Sequence, residues 1–139
     1  MSDRFVVDAS VGFSWVYPSQ ASIETDQLLV EIEAGAAVIV PSLWFLEVAN
    51  GLLAAQRRKL ITSAERKGAL ARLSNLAFTV DERTGEAAFG KTSELAEKYS
   101  LSVHDAAYLE TAVRRKLPLA SRDRPLRTAA KRCGIKLRV

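Results

Sequence analysis

Apolar and polar positions alternate between two periods along this chain. RFVV (4–7), AAVIV (36–40), AFTV (77–80) and PLAS (118–121) are short apolar, β-prone runs. Between them, apolar residues recur at helical spacing. The pattern predicts helices over about 10–16, 22–34, 43–59, 63–77, 84–99, 103–116 and 125–133. Ser10 reads as the cap of the first of these. Thr62 or Ser63 begins the fourth, where Ser63–Arg66 offers a cap but no full capping box. Gly134 reads as the stop after the last. IKLRV (135–139) alternates apolar and basic residues, which suits a final, partly exposed strand. Strands alternating with helices from end to end predict a three-layer α/β/α domain around a mostly parallel sheet. No linker, low-complexity tract or composition break divides the chain, so residues 1–139 read as one domain. RRKL occurs at 57–60 and again at 114–117, too short a repeat to define an architecture.

One stretch tests the alternative of a membrane span. Residues 34–55 carry a single charge. That charge, Glu47, lies in the apolar interior, at a cost of about 3 kcal/mol on insertion scales. Gly35 before AAVIV and Pro41-Ser42 after it fit a buried strand feeding a helix better. The first residues lack a long apolar stretch, and Asp3 stands where a leader carries positive charge, so no signal peptide is expected.

Composition narrows the chemistry. The chain has 139 residues, 48% of them hydrophobic and 26% charged, as in ordinary globular proteins. One cysteine, Cys133, and one histidine, His104, exclude an internal disulfide and a Cys/His zinc site, and make a reducing cytoplasm the expected compartment. The 20 basic against 16 acidic residues give a net charge of +4, which permits a nucleic-acid partner.

Ligands of open α/β sheets bind beyond the carboxyl ends of the strands. Asp8 follows RFVV, Asp123 follows PLAS closely, and Asp105 opens the helix at 103–116. Each also has a structural reading. Asp8 suits a turn, Asp123 an N-cap before Pro125, and Ser102-Val103-His104-Asp105 a capping box. Glu47 fits no such pattern. It sits in SLWFLEVANGLL, with Leu43 and Trp44 one turn before it and Asn50 and Gly51 one turn after. A carboxylate there needs a cation, a proton, an arginine or an exposed helix edge. Gly51 leaves room beside it, and Asn50 is placed to hydrogen-bond to it.

VVDASV, PSLWFLEVANGLL, LSVHDAAYLETA and PLASRD, in this order, resemble the four motifs of PIN-domain ribonucleases. The similarity is strongest to the toxins of VapBC toxin–antitoxin pairs, and it spans Val6–Asp123. The resemblance implies a five-stranded parallel sheet with helices on both sides. It implies an acidic pocket of Asp8, Glu47, Asp105 and Asp123, catalytic and metal-binding together, supported by Ser10 and Ser121. His104 departs from the usual pattern without touching any motif acid.

Carboxylates suit this chemistry. Mg²⁺, with Mn²⁺ as a substitute, takes hard oxygen ligands, activates water and neutralises charge at a phosphate. Asp8, Asp105 and Glu47 are expected to hold the main ion, directly or through water, and Asp123 a second ion or the attacking water. Products with a 5′-phosphate and a 3′-hydroxyl follow from the resemblance. So do a VapB-type antitoxin whose arm covers the pocket, and a homodimer. His104 faces away from Asp105, as adjacent helix residues do, and a metal-activated water removes the need for a histidine base.

Arg57, Arg58 and Lys59, like Arg114, Arg115 and Lys116, end helices, where cations complement the dipole; phosphate contact is the competing reading. Arg122, Arg124 and Arg127 flank Asp123 and are better placed to meet RNA or an antitoxin. Trp15, Trp44 and Phe45 read as core. A type II toxin endoribonuclease is thus the leading expectation. A housekeeping PIN nuclease in RNA processing and a non-catalytic interaction module are the alternatives. A phosphatase using Asp8 as nucleophile is disfavoured, because position 10 is Ser where a second aspartate is wanted.

Overall fold

A computed structural model describes residues 4–139; Asp3, on which the leader reading rests, lies outside them. The strands are β1 (Arg4–Val7), β2 (Ala37–Pro41), β3 (Phe78–Asp81) and β4 (Leu119–Ala120). They form a wholly parallel sheet in the order β3-β2-β1-β4. The helices are α1 (Ala9–Val16), α2 (Ile23–Glu33), α3 (Leu43–Arg57), α4 (Ser63–Ser74), α5 (Thr84–Ala87), α6 (Ser93–Tyr99), α7 (Val103–Arg115) and α8 (Arg124–Arg132). The α/β expectation holds. Phe5, Val6 and Val7 of β1 and Val38, Ile39 and Val40 of β2 are fully buried, as strands covered on both faces must be.

The chain steps outward from β1 to β2 to β3, then returns to place β4 on the other side of β1. The direction of progression therefore reverses between β1 and β4. A crevice opens at such a point, because the connections that leave the two strands go to opposite sides. Val6 pairs with Leu119 and Val7 with Ala120, and the Asp8 N–H donates to the Ala120 carbonyl at 3.1 Å. Asp8 and Ser121 thus emerge together at the carboxyl edge.

Four expectations are corrected. The final strand shrinks to one parallel bridge, Leu119 with Leu137, so four strands are present among the described residues where five were expected. Arg127 and the Glu31–Arg138 pair hold that tail, and β4 itself offers only two residues for pairing. The helix expected over 84–99 is broken. Gly90 takes φ −111°, ψ −105°, and a wider turn over Ala88–Thr92 separates α5 from α6. The first helix starts at Ala9 and is capped by Asp8, whose carboxylate accepts from Val11 N, so Ser10 lies within the helix. Thr62 and Glu65 do form a full capping box on α4, one residue upstream of Ser63–Arg66. Residues 34–55 divide between β2 and α3, and no helix of the described chain is long and apolar enough to cross a membrane.

Candidate active site

Asp8 is buried (3% exposed) and densely bonded. Ser10 Oγ donates to Oδ1 at 2.6 Å, Val11 N donates to Oδ1 at 3.2 Å, and Ser121 Oγ donates to Oδ2 at 2.5 Å. The serines are held in turn. Arg122 N donates to Ser10 Oγ at 2.9 Å, and Asp123 N donates to Ser121 Oγ at 3.0 Å. The backbone after β4 thereby clasps the carboxylate that follows β1. From below, Trp44 Nε1 donates to the Asp8 carbonyl at 3.1 Å. That contact needs Gly12, where a Cβ would lie 2.5 Å from the indole ring.

Burial nonetheless dominates the charge on Asp8. Its pKa rises to about 6, with desolvation outweighing the Ser10, Ser121 and Val11 hydrogen bonds; the charge of Asp105 adds to the rise. Asp105 is itself shifted upward, by burial first and by Asp123 second. Asp105 lies in the first turn of α7, where its N–H bonds to the Ser102 cap at 3.0 Å. Asp123 caps α8 and accepts from Leu126 N at 3.0 Å. Asp8 and Asp123 therefore do cap helices, whereas the box expected at Ser102–Asp105 is half formed: Ser102 caps α7, and the Asp105 carboxylate accepts nothing from the Ser102 N–H among the described residues. The charge of Asp105 reaches Asp8, and that of Asp123 reaches Asp105.

Glu47 joins them from α3 through Tyr108. The phenol of Tyr108 donates to Glu47 Oε1, and it senses the charges of Glu47, Asp8 and Asp105. Burial, the Glu47 bond and those charges push the phenol far above its usual range, so it stays a protonated donor. Tyr108 was missed in the sequence, where an aromatic at helical spacing reads as core. The available signal was its place one turn after Asp105, on the same helix face. Asn50 is exposed and makes no hydrogen bond to Glu47 among the described residues.

The flanking arginines divide by role. Arg127 donates to the carbonyls of Ser121 and Val139, and Arg122 to that of Gln20, while Arg124 is exposed. Arg114 and Arg115, read as helix-end cations, instead meet Asp81, and Arg114 also meets Glu110. Trp15 and Trp44 are core, whereas Phe45 is 43% exposed. His104 is exposed. A cleft of about 570 Å³ leads away from Ser10 and Glu47 between α1 and α3. It passes Phe13, Tyr17 and Gly51 and ends near Arg58 and Leu60.

The donor set suits a hard divalent cation in kind: oxygen ligands only, at a crevice. In position, no group of three or more His, Cys, Asp or Glu among the described residues is gathered tightly enough to ligate one ion. Mg²⁺ is commonly held by one or two carboxylates and several waters, so the coupled Asp8–Asp105 pair fits it.

Three solved structures share the fold. PAE2754 from Pyrobaculum aerophilum has 21% identity and a TM-score of 0.68, over 92% of this chain and 79% of that one. FitAcB from Neisseria gonorrhoeae has 17% identity and a TM-score of 0.64, over 96% and 95%. VapBC2 from Rickettsia felis, bound to a DNA fragment from its promoter, has 11% identity and a TM-score of 0.61, over 86% and 87%. Among curated proteins none matches the chain. The PIN domain matches residues 5–132, nearly everything from β1 to the end of α8, and the chain belongs to the PIN-domain family.

Proposed function

We propose that the chain is a Mg²⁺-dependent endoribonuclease, one catalytic domain acting as the toxin of a type II toxin–antitoxin pair. The observation that carries the reading is the seat of Asp8. A buried carboxylate is fixed by Ser10 and Ser121 at the strand-order reversal; Asp105 acts on its charge, Asp123 acts on Asp105, and Tyr108, which bonds Glu47, senses Asp8 and Asp105. Like charges held near one another cost stability, which favours a cation between them.

The residues divide the work. Asp8 and Asp105 hold the cation, with Glu47 adding a ligand directly or through water. Asp123 orients the attacking water, or helps hold a second ion. The bound cation supplies charge neutralisation at the scissile phosphate and a more acidic water. Ser10 and Ser121 keep Asp8 from turning away, because each donates to a different oxygen. The net positive charge elsewhere draws a polyanion to this acidic centre.

An antitoxin partner is supported by the cleft between α1 and α3, a seat of mixed apolar and polar lining that opens directly beside Ser10 and Glu47. VapBC2 and a toxin–antitoxin complex from Klebsiella pneumoniae are similar folds found in such pairs. Exposed Phe45 and Leu46 on α3, with Val80 on the edge strand, support pairing with a second copy. The single free cysteine supports a reducing cytoplasm.

The test is cleavage of a panel of structured RNAs by the purified chain with Mg²⁺ or Mn²⁺. Discrete cuts are expected, abolished by EDTA and reduced more than about 100-fold by Asp8→Asn. Cuts that survive Asp8→Asn contradict the assignment. Cation binding without any cleavage favours the interaction-module reading instead.

A further inference from the structure

We propose that Tyr108 is a positioning residue, which holds Glu47 in place for the cation through its phenol hydroxyl. The inference rests on the cation-dependent reading above and adds to it a residue outside the four acids.

Tyr108 is 1% exposed, and a phenylalanine fills the same space. The hydroxyl therefore matters only through its partner, because a buried O–H without one is costly. Its partner is Glu47 Oε1, 61 positions away in sequence and on a different helix. Among the described residues Glu47 has no salt bridge, and its other oxygen, Oε2, accepts no hydrogen bond. One oxygen is thus tethered while the other is left to a ligand. A neutral phenol also does what an arginine does not. It orients a carboxylate without neutralising the acidic field that attracts a cation. Asp105 and Tyr108 lie one turn apart on α7, so one rigid helix carries a ligand and the support of another ligand from α3.

The experiment is a Mn²⁺ titration of the purified chain, followed by electron paramagnetic resonance of the free ion. The variants are Tyr108→Phe, Glu47→Ala, the double variant and Asp8→Asn, with circular dichroism confirming that each is folded. Tyr108→Phe is expected to weaken Mn²⁺ binding about tenfold or more, the range for losing a support behind a metal ligand. Glu47→Ala is expected to weaken it as well. The double variant is expected to bind no more weakly than Glu47→Ala alone, because Tyr108 acts only through Glu47. Wild-type affinity in Tyr108→Phe overturns the proposal. So does a further loss from Tyr108→Phe in the Glu47→Ala background, which marks a packing effect. Absent Mn²⁺ binding in the wild type, or binding indifferent to Asp8→Asn, overturns the cation reading and this role together.

Discussion

Burial costs Asp8 its ordinary acidity, and stability must follow. Its pKa of about 6 in the folded chain lies above the unfolded value of 3.8, so the folded state holds the extra proton. Without a cation, stability is greatest below the unfolded value and falls as pH rises through about 6. The two values correspond to about 3 kcal/mol lost by neutral pH. Urea unfolding in EDTA between pH 4 and 7 measures this, and Asp8→Asn is expected to flatten the dependence. Saturating Mg²⁺ is expected to restore stability at pH 7, since a bound cation favours the ionised carboxylate. Gly12→Ala is a second prediction at this scale. A methyl 2.5 Å from the Trp44 ring forces the indole off the Asp8 carbonyl. The variant is expected to lose about 1–3 kcal/mol of unfolding free energy and to bind Mn²⁺ more weakly. The four acids stand out in the sequence because motifs on four separate elements resemble one family pattern. Ser10 and Ser121 came with that pattern. Tyr108 did not, because its hydroxyl does its work across a gap of 61 positions that no local spacing reveals.

Among the elements, the junction of β3 and α7 is the most heavily tied. Asp81 ends β3 with a fully buried side chain, bonded by Arg114 at 2.7 Å and Arg115 at 2.9 Å; Arg114 also holds Glu110 at 2.7 Å. Burial raises the Asp81 pKa, but the bonds from Arg114, Arg115 and Thr84 win and bring it to about 2. Arg114→Ala leaves Asp81 and Glu110 buried with one cation fewer, and is expected to destabilise by about 3 kcal/mol in thermal or urea unfolding. By contrast, Thr62→Ala removes only the α4 capping box on an exposed helix, at about 1 kcal/mol, with cleavage unchanged. The elements themselves were mostly legible, since apolar periodicity placed every strand from β1 to β4 and most helices. The errors have physical sources. Asp8 and Ser10 both have capping side chains, and periodicity does not choose between them. Gly90 breaks a helix whose apolar spacing continues across it. Arg114 and Arg115 read as cations complementing the end of their helix because their partner, Asp81, comes from β3, far away in sequence.

At the scale of the whole molecule, two buried aspartates set opposite slopes. Asp81, depressed to about 2 from 3.8, contributes stability above pH 4 that is lost as pH falls toward 2. Asp8 contributes the reverse above it. The cation-free chain is therefore expected to be most stable near about pH 4, and the cation-loaded chain nearer neutrality. Sheet topology explains why function sits where it does. The order β3-β2-β1-β4 reverses beside β1, and that reversal brings acids from opposite ends of the sequence to one crevice. The most direct measurement of that centre is Mn²⁺ binding at pH 7 to the wild-type chain and to Asp8→Asn and Asp105→Asn. Saturable binding by the wild type, with each single substitution weakening it more than about tenfold, is the expected result. Equal affinity in all three chains contradicts a shared cation centre.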